Sequence, residues 1–200
     1  KLRTLAKKTP ILILGHYLPS RTSILSQAIK RQISFIVYDI GQIRALERAA
    51  RALGGRANVH LKLETGMARL GQFPKEASEL LRLISQSKYL KLEGIASHFS
   101  TAEEANGFVK HQLNNLNKFV SDNKKLIPGN VLKHISCTAS ILASPESHLD
   151  MVRLGIGLYG LWPSTDIKSR AKIYLRPALT WKTKIIEVQK LPKGTVVGYG

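Results

Sequence analysis

The sequence is poor in cysteine and in acidic residues, and it lacks any long apolar run. Cys137 is the only cysteine among the 200 residues, so no disulfide can form within the chain. This excludes the class of small secreted domains that disulfides hold together. No uninterrupted apolar stretch is long enough to cross a bilayer. We therefore expect a cytoplasmic protein with no membrane partner.

The shortage of acidic residues leaves a strongly basic chain. The chain has 31 Lys and Arg but only 13 Asp and Glu, which gives a formal net charge of +18. Such an excess is typical of nucleic-acid-binding proteins. However, the basic residues are spread from Lys1 to Lys193 without one dominant cluster, and neither an RNP-like motif nor a zinc-finger spacing occurs. We therefore expect a solvated basic surface, with no specific nucleic-acid partner and no metal site.

Predicted strands and helices alternate up to residue 154. Short apolar runs predict strands, and segments of helical periodicity predict the helices between them. The predicted strands are 11–14, 35–38, 59–64, 92–97, 131–136 and 151–154, and the predicted helices are 22–31, 41–53, 74–86 and 103–122. This alternation indicates parallel strands with right-handed crossovers. The pattern fits either an open, doubly wound sheet or part of a closed barrel. No Gly-x-Gly-x-x-Gly motif follows the first strand, which argues against a dinucleotide-binding fold.

The pattern changes near residue 170. Residues 179–188 alternate between apolar and polar as a β-strand does, and Pro192-Lys193-Gly194 predicts a turn into Val196 and Val197. We expect the α/β unit to span residues 1–170 and a β-rich second domain to begin at residue 171.

Polar residues suited to chemistry fall at the C-terminal ends of the predicted strands, where ligand sites of parallel α/β folds are built. They are Arg69, His98, Thr138 and Arg153. In the strand 59–64, His60, Lys62 and Glu64 alternate with apolar residues and therefore share one face. An edge strand with a surface loop would show the same pattern.

A second pattern follows the last predicted strand. The glycine spacing in Val152-Arg153-Leu154-Gly155-Ile156-Gly157 lets backbone N–H groups approach a phosphate, but it also suits a tight turn.

Five segments, in order, resemble the bacterial alanine racemases, a family of fold type III that uses pyridoxal 5'-phosphate (PLP). The segments are Lys62-Leu63-Glu64-Thr65-Gly66-Met67-Ala68-Arg69-Leu70-Gly71, Glu93-Gly94-Ile95-Ala96-Ser97-His98-Phe99, residues 134–140, Asp150-Met151-Val152-Arg153-Leu154-Gly155-Ile156-Gly157-Leu158-Tyr159-Gly160 and Val197-Gly198-Tyr199-Gly200. The resemblance implies a partial (β/α)8 TIM barrel, its third to eighth strands, followed by the start of a C-terminal β-domain. It also implies racemisation of L- and D-alanine, which supplies D-alanine for peptidoglycan.

The resemblance also implies roles for individual residues. The Thr138 hydroxyl and the backbone of Gly155 and Ile156 would bind the PLP phosphate. His98 would lie against the cofactor ring, and Arg153 would face its pyridine nitrogen.

Three further residues match positions nearer the substrate. Arg69 would contact the phenolic oxygen of PLP and the carboxylate of a small amino-acid substrate. Lys62 matches a lysine that is commonly carbamylated. Tyr199 would be the base for L-alanine, reaching from one subunit into the active site of its homodimer partner.

Two departures qualify the match. Cys137 stands where the family usually has asparagine, and Thr138 where it usually has serine. The motif with the PLP-binding lysine, the expected base for D-alanine, does not occur, so we expect the chain to be a fragment. Two alternatives remain: a racemase of this fold for serine or another amino acid, and a non-catalytic PLP-binding barrel protein, which would not need Tyr199.

Overall fold

The sheet has parallel strands in the order in which they follow along the chain. The computed structural model describes residues 2–17, 19–104 and 107–198. The strands are β1 (Ile11–Ile13), β2 (Ile33–Val37), β3 (Ala57–Lys62), β4 (Leu90–Ala96) and β5 (Leu132–His134). Each strand pairs in parallel with the next one, in the order β1-β2-β3-β4-β5. A doubly wound sheet reverses its strand order, whereas a barrel does not. The expected partial barrel is therefore confirmed.

Helices connect the strands along the outer face of this half-barrel. They are α1 (Leu2–Leu5), α2 (Thr22–Lys30), α3 (Ile40–Ala52), α4 (Pro74–Gln86), α5 (Phe108–Asp122), α6 (Thr138–Ala143) and α7 (Thr165–Arg170). The Asp39 carboxylate begins α3 by accepting a hydrogen bond of 2.9 Å from the Gln42 N–H. Pro74 begins α4, because proline fixes a helical φ and its missing N–H is not needed in the first turn. None of the helices within the described residues is both long and apolar enough to cross a membrane.

The hydrophobic core lies between the sheet and these helices. Val59 and Leu61 of β3 are fully buried there, together with Leu46 of α3, Leu81 of α4 and Leu116 of α5. Successive side chains of a strand point to opposite faces. The intervening His60 and Lys62 therefore point into the barrel, as their alternation in the sequence predicts.

Most boundaries lie within one to two residues of the predictions, but the start of α5 and the segment 151–154 differ more. Helix α5 begins at Phe108 and not at residue 103, because Gly107 has a φ of +75°, which a right-handed helix cannot continue through. The predicted strand at 151–154 is wrong. That segment contacts the end of β5 through the Asp150 N–H to Lys133 carbonyl bond and the Arg153 N–H to Ser136 carbonyl bond, and it forms no continuous ladder.

The predicted strand at 179–188 is also wrong. No strand forms between residues 171 and 198, and large side chains there, such as Trp181 and Ile186, are almost fully exposed. A single strand is not stable without a paired neighbour, and none of the described residues pairs with this one. The segment is joined to the barrel where Gly160, with a φ of +76°, lies so close to the Arg176 carbonyl that a Cβ would clash. The domain boundary at residue 170 stays a prediction.

Candidate active site

A cavity of about 130 Å³ opens at the C-terminal ends of β1 to β4. This is the end of a barrel at which catalytic groups are found. The residues around it are Leu14, Ile36, Lys62, Leu63, Glu64, Met67, Arg69, Leu70, Ser97, His98 and Arg153. Four of the residues singled out from the sequence, Lys62, Arg69, His98 and Arg153, thus line one cavity.

The guanidinium of Arg153 is held from several directions. Its Nη2 donates to the Ser97 carbonyl at 2.6 Å and to the Ile135 carbonyl at 3.0 Å, and it lies 3.2 Å from Nδ1 of His98. Its Nη1 donates to Nδ1 of His134. Burial lowers the pKa of Arg153 to about 10, while Cys137 acts in the opposite direction. The guanidinium therefore stays protonated near pH 7, and Nδ1 of His134, which faces the Nη1 donor, must be an acceptor.

Positive charge and burial shift the groups beside Arg153 towards their neutral forms. Burial, followed by the charges of Lys62, Arg153 and Arg69, lowers the pKa of His98 to about 4. Burial, with Arg153 and Arg69, also lowers the pKa of Lys62 to about 7, although Glu64 partly opposes this shift. Near neutral pH, His98 is therefore uncharged and a substantial fraction of Lys62 is a free amine.

Arg69 lies on the loop that follows β3, at the exposed rim of the cavity. The buried Glu64 carboxylate holds this loop by accepting hydrogen bonds from the N–H groups of Gly66 and Met67. Burial alone would raise the pKa of Glu64, but the backbone N–H donors lower it. The loop then returns to the strand end, where the Gln72 N–H donates to the Lys62 carbonyl at 3.1 Å.

Gly71 is required at the point where this loop closes. It has a φ of +126°, and a Cβ would lie 2.9 Å from both the Glu64 nitrogen and the Leu63 carbonyl carbon. We expect Gly71→Ala to lower the free energy of unfolding by about 1–3 kcal/mol, the usual cost of overpacking. Urea unfolding of the full-length protein measures this, with Gly55→Ala as control, because a Cβ at Gly55 meets open space. Equal stabilities would contradict the assigned role of Gly71.

A second polar group forms where α6 begins. The Thr138 hydroxyl oxygen accepts hydrogen bonds from the N–H groups of Gly155 at 3.0 Å and of Gly157 at 3.3 Å. At Gly157 a Cβ would lie 2.7 Å from the Thr138 methyl group, so only glycine allows this approach. The structure thus brings Thr138 and Gly155 together. The second N–H group that donates to this hydroxyl belongs to Gly157. Ile156, which lies between the two glycines, begins a short 3₁₀ helix.

Cys137 acts as the cap of α6. Its side chain accepts from the Ser140 N–H, while the Ser140 hydroxyl accepts from the Cys137 N–H at 2.9 Å. This reciprocal pair satisfies backbone donors that a helix start otherwise leaves without partners. The cysteine therefore has a structural role at the position where asparagine was expected.

Tyr199 lies outside the described residues.

The sequence analysis missed a residue that supports the cavity wall, because no pattern in its neighbouring sequence indicates a site. Gln112 of α5 is fully buried and donates to the His98 carbonyl at 3.0 Å and to the Thr65 hydroxyl at 3.3 Å. Thr65 in turn shares a hydrogen bond of 2.7 Å with Ser97. Gln112 thereby ties together the loops that follow β3 and β4.

A pair of buried histidines was missed as well. His134 is fully buried, and its Nε2 lies 2.9 Å from Nδ1 of His60. Burial, followed by Arg153, lowers the pKa of His134 to about 2. Burial lowers the pKa of His60 to about 4, with Glu93 opposing and Arg153 assisting. The clue in the sequence was the position of His60 on the inward face of β3, but the partner residue is remote in the chain.

These neutral histidines predict loss of stability in acid. An unfolded histidine binds a proton near pH 6.5, whereas His60 in the fold does so only near pH 4. Between these values the unfolded state binds more protons, so the free energy of unfolding falls as the pH is lowered. His60 alone contributes about 3 kcal/mol to this fall. Urea unfolding of the full-length protein at pH 7 and pH 4.5 measures it, and His60→Asn, which cannot titrate, should have a shallower pH dependence. An identical dependence would contradict the prediction.

Known proteins resemble this chain in sequence. The family model "Alanine racemase, N-terminal domain" matches residues 1–163. The chain is 34% identical over 202 residues to an alanine racemase of Clostridium novyi (strain NT), covering 100% of this chain and 51% of the relative. It is 37% identical over 203 residues to alanine racemase 1 of Caldanaerobacter subterraneus subsp. tengcongensis, with the same coverage. The chain thus spans about half the length of these curated relatives.

Solved structures give the same result. An alanine racemase of Clostridium difficile 630 superposes with a TM-score of 0.78 at 37% identity, covering 88% of this chain and 46% of the other. A histidine racemase of Leuconostoc mesenteroides subsp. sake superposes with a TM-score of 0.82 at 30% identity, covering 100% of this chain and 52% of the other.

Proposed function

The chain belongs to the family of alanine racemase N-terminal domains, and we propose that it forms the cofactor-binding barrel part of a PLP-dependent alanine racemase. The observation that carries this proposal is the convergence of Lys62, Arg69, His98 and Arg153 on one cavity at the C-terminal end of the strands. Thr138, with the N–H groups of Gly155 and Gly157, is connected to that cavity through the chain, because Gly155 is only two residues after Arg153.

The residues present fit PLP. The approach of Gly157 to Thr138 leaves no room for a Cβ, and such close backbone packing is typical of phosphate-binding turns. Thr138, Gly155 and Ile156 would hold the phosphate, and His98 and Arg153 would contact the ring. When bound, PLP would withdraw electrons from the α-carbon of the amino acid and so make its proton removable.

Arg153 would hold the pyridine nitrogen by donating a hydrogen bond without releasing its proton, because its pKa of about 10 keeps it charged. The negative charge that develops on proton removal would then remain near the α-carbon, where the proton must return. The acceptors around Arg153 fix the direction of its N–H groups. Arg153 would thus favour return of the proton to the same carbon, which is what racemisation requires.

Arg69 and Lys62 would act on the substrate side. Arg69, at the rim, would bind the substrate carboxylate by a charge-assisted hydrogen bond. A free amine is the form of lysine that reacts with carbon dioxide, and the lowered pKa of Lys62 supplies that form near pH 7. The resulting carbamate would carry negative charge among Arg69 and Arg153 and would orient Arg69.

Racemisation needs a proton carrier on each face of the α-carbon. Tyr199 would serve L-alanine, reaching into the site of the partner subunit of a homodimer. The cofactor lysine, in a segment outside this chain, would serve D-alanine. In this proposal the enzyme is cytoplasmic and supplies D-alanine for peptidoglycan.

The substrate could also be another amino acid. The specific observation that favours this second candidate is the similarity to a histidine racemase across the whole chain. The fold described above is therefore shared by proteins named as racemases of different amino acids, and the choice between them is made by comparing substrates directly.

The test is an assay of the full-length protein with PLP. Chiral chromatography should show that L-alanine alone and D-alanine alone are each converted to an equal mixture of the two enantiomers. We expect kcat/KM for alanine to exceed that for serine or histidine by at least about tenfold, the discrimination that a small difference in pocket fit provides. A preference for serine or histidine would establish the second candidate, and no racemisation of any of the three would refute the proposal.

A further inference from the structure

The hydrogen bonds of Arg153 continue into the barrel through the two buried histidines. His134 contacts Arg153 through Nδ1 and His60 through Nε2, and the two imidazole rings meet edge to face, with centroids 5.1 Å apart and an interplanar angle of 67°. His134 is fully buried and His60 is 4% exposed. Both ring nitrogens of His134 are therefore occupied by protein partners.

The direction of these hydrogen bonds follows from Arg153. A guanidinium has donors only, so Nδ1 of His134 must carry no proton. A neutral imidazole then carries its proton on Nε2 and donates it, and Nδ1 of His60 is the acceptor 2.9 Å away. The arrangement requires both rings to be neutral. Burial, followed by Arg153, His60 and Lys62, disfavours a charged His134, and burial and Arg153 disfavour a charged His60 despite the opposing carboxylate of Glu93.

Gly94 provides the space for the His60 ring. The two residues face each other in the register between β3 and β4, next to an irregularity at Val59 and His60. A Cβ on Gly94 would lie 2.1 Å from Nδ1 of His60 and 2.6 Å from its Cε1. Any larger residue at position 94 would push the ring away from His134.

We propose that His60 is a positioning residue for racemisation, which accepts the Nε2–H of His134 and thereby holds the ring with Nδ1 towards Arg153. Its effect on catalysis rests on the proposed function. Without an acceptor at His60, the buried Nε2–H of His134 has no partner. The His134 ring then loses one of the two hydrogen bonds that hold it, and we expect Nδ1 to move away from Arg153.

Two variants of His60 separate its hydrogen bond from its volume. His60→Leu removes the acceptor and keeps an apolar side chain of similar size. His60→Asn places an amide oxygen near the position of Nδ1 and restores the acceptor. In the full-length enzyme with PLP, we expect His60→Leu to lower kcat about 10- to 100-fold with little change in KM, as for a displaced catalytic group. His60→Asn should recover kcat to within a few-fold of wild type, and equal kcat for His60→Leu and wild type would overturn the proposal.

A second measurement does not depend on activity. In the full-length protein with 15N-labelled histidine, two-bond 1H–15N correlations report which ring nitrogen is protonated. We expect His134 to be protonated at Nε2 in all three proteins, with the Nε2–H resonance far downfield, as for a hydrogen-bonded proton, in the wild type and in His60→Asn, and moved upfield in His60→Leu. Protonation at Nδ1 of His134 in the wild type would overturn the proposal. Should His60→Leu fail to fold, Gly94→Ala displaces the same ring and carries the same expectation.

The two readouts distinguish this proposal from the proposed function. An inactive wild type would overturn the racemase function, and the Nε2–H resonance of His134 would then decide on the role of His60 alone. An active wild type in which this resonance does not respond to His60→Leu would overturn the role of His60 and leave the function intact.

Discussion

Replacing Tyr199 with phenylalanine in the full-length enzyme should slow α-proton exchange from L-alanine by about 100- to 10,000-fold, the usual contribution of a general acid–base group. A phenol has an ordinary pKa of about 10 and acts as a base near pH 7 only where positive charge stabilises the phenolate. Arg69 and Arg153 supply such charge in the cavity. Exchange from D-alanine should fall much less, because the base proposed for D-alanine is the separate cofactor lysine.

Exchange in heavy water, followed by mass spectrometry from each enantiomer, measures this asymmetry. Tyr174→Phe makes the same chemical change at an exposed position outside the cavity and serves as the control. Mixing Tyr199→Phe subunits with subunits that lack the cofactor lysine should restore one working site in each heterodimer. A symmetric loss of exchange would rule out Tyr199 as the base for L-alanine, and no recovery in heterodimers would rule out the shared site.

Replacing Arg153 with lysine should lower kcat by about 100-fold or more, although the charge is kept. A lysine ammonium cannot reproduce the planar fork that donates to Ser97, Ile135 and His134 at once. A group held about 1 Å from its place loses about this much rate. Each buried acceptor left without a donor should also lower the free energy of unfolding by about 1–3 kcal/mol.

Steady-state kinetics and urea unfolding of the full-length enzyme measure both effects. The matched control is Arg170→Lys, because Arg170 pairs with Asp166 on the exposed surface of α7. That change should stay within about 0.5 kcal/mol of wild type. If Arg153→Lys behaved like Arg170→Lys, the hydrogen bonds of Arg153 would not be needed for the reaction.

The regular part of the fold could be predicted because its signals are local. Apolar runs ended by glycine or followed by helical periodicity placed the five strands to within a few residues. The alternation in residues 59–64 predicted that His60 and Lys62 point away from the core. The wrong strands, 151–154 and 179–188, have the same local pattern. They failed because a strand also needs a paired neighbour, which a pattern within one segment does not specify.

The candidate site could be predicted only in part, for the same reason. Arg69 and His98 each follow a strand, so the barrel brings them to one end, and Arg153 reaches the same end through the bond of its N–H to the Ser136 carbonyl, just past β5. The hydrogen bond between His60 and His134 joins residues 74 positions apart. The burial of Gln112 against two loops and the space that Gly94 leaves for an imidazole depend equally on three-dimensional packing. Such contacts have no counterpart in the spacing of residues along the chain.

The most direct test of the central claim is a crystal structure of the full-length protein with PLP bound. The proposal predicts the pyridine nitrogen within hydrogen-bond distance of the Arg153 guanidinium, and the phosphate against Thr138 and the backbone of Gly155 and Ile156. It also predicts that Arg153 keeps its hydrogen bonds to Ser97, Ile135 and His134. PLP bound in another cavity, or bound here with Arg153 turned away from the ring, would contradict it.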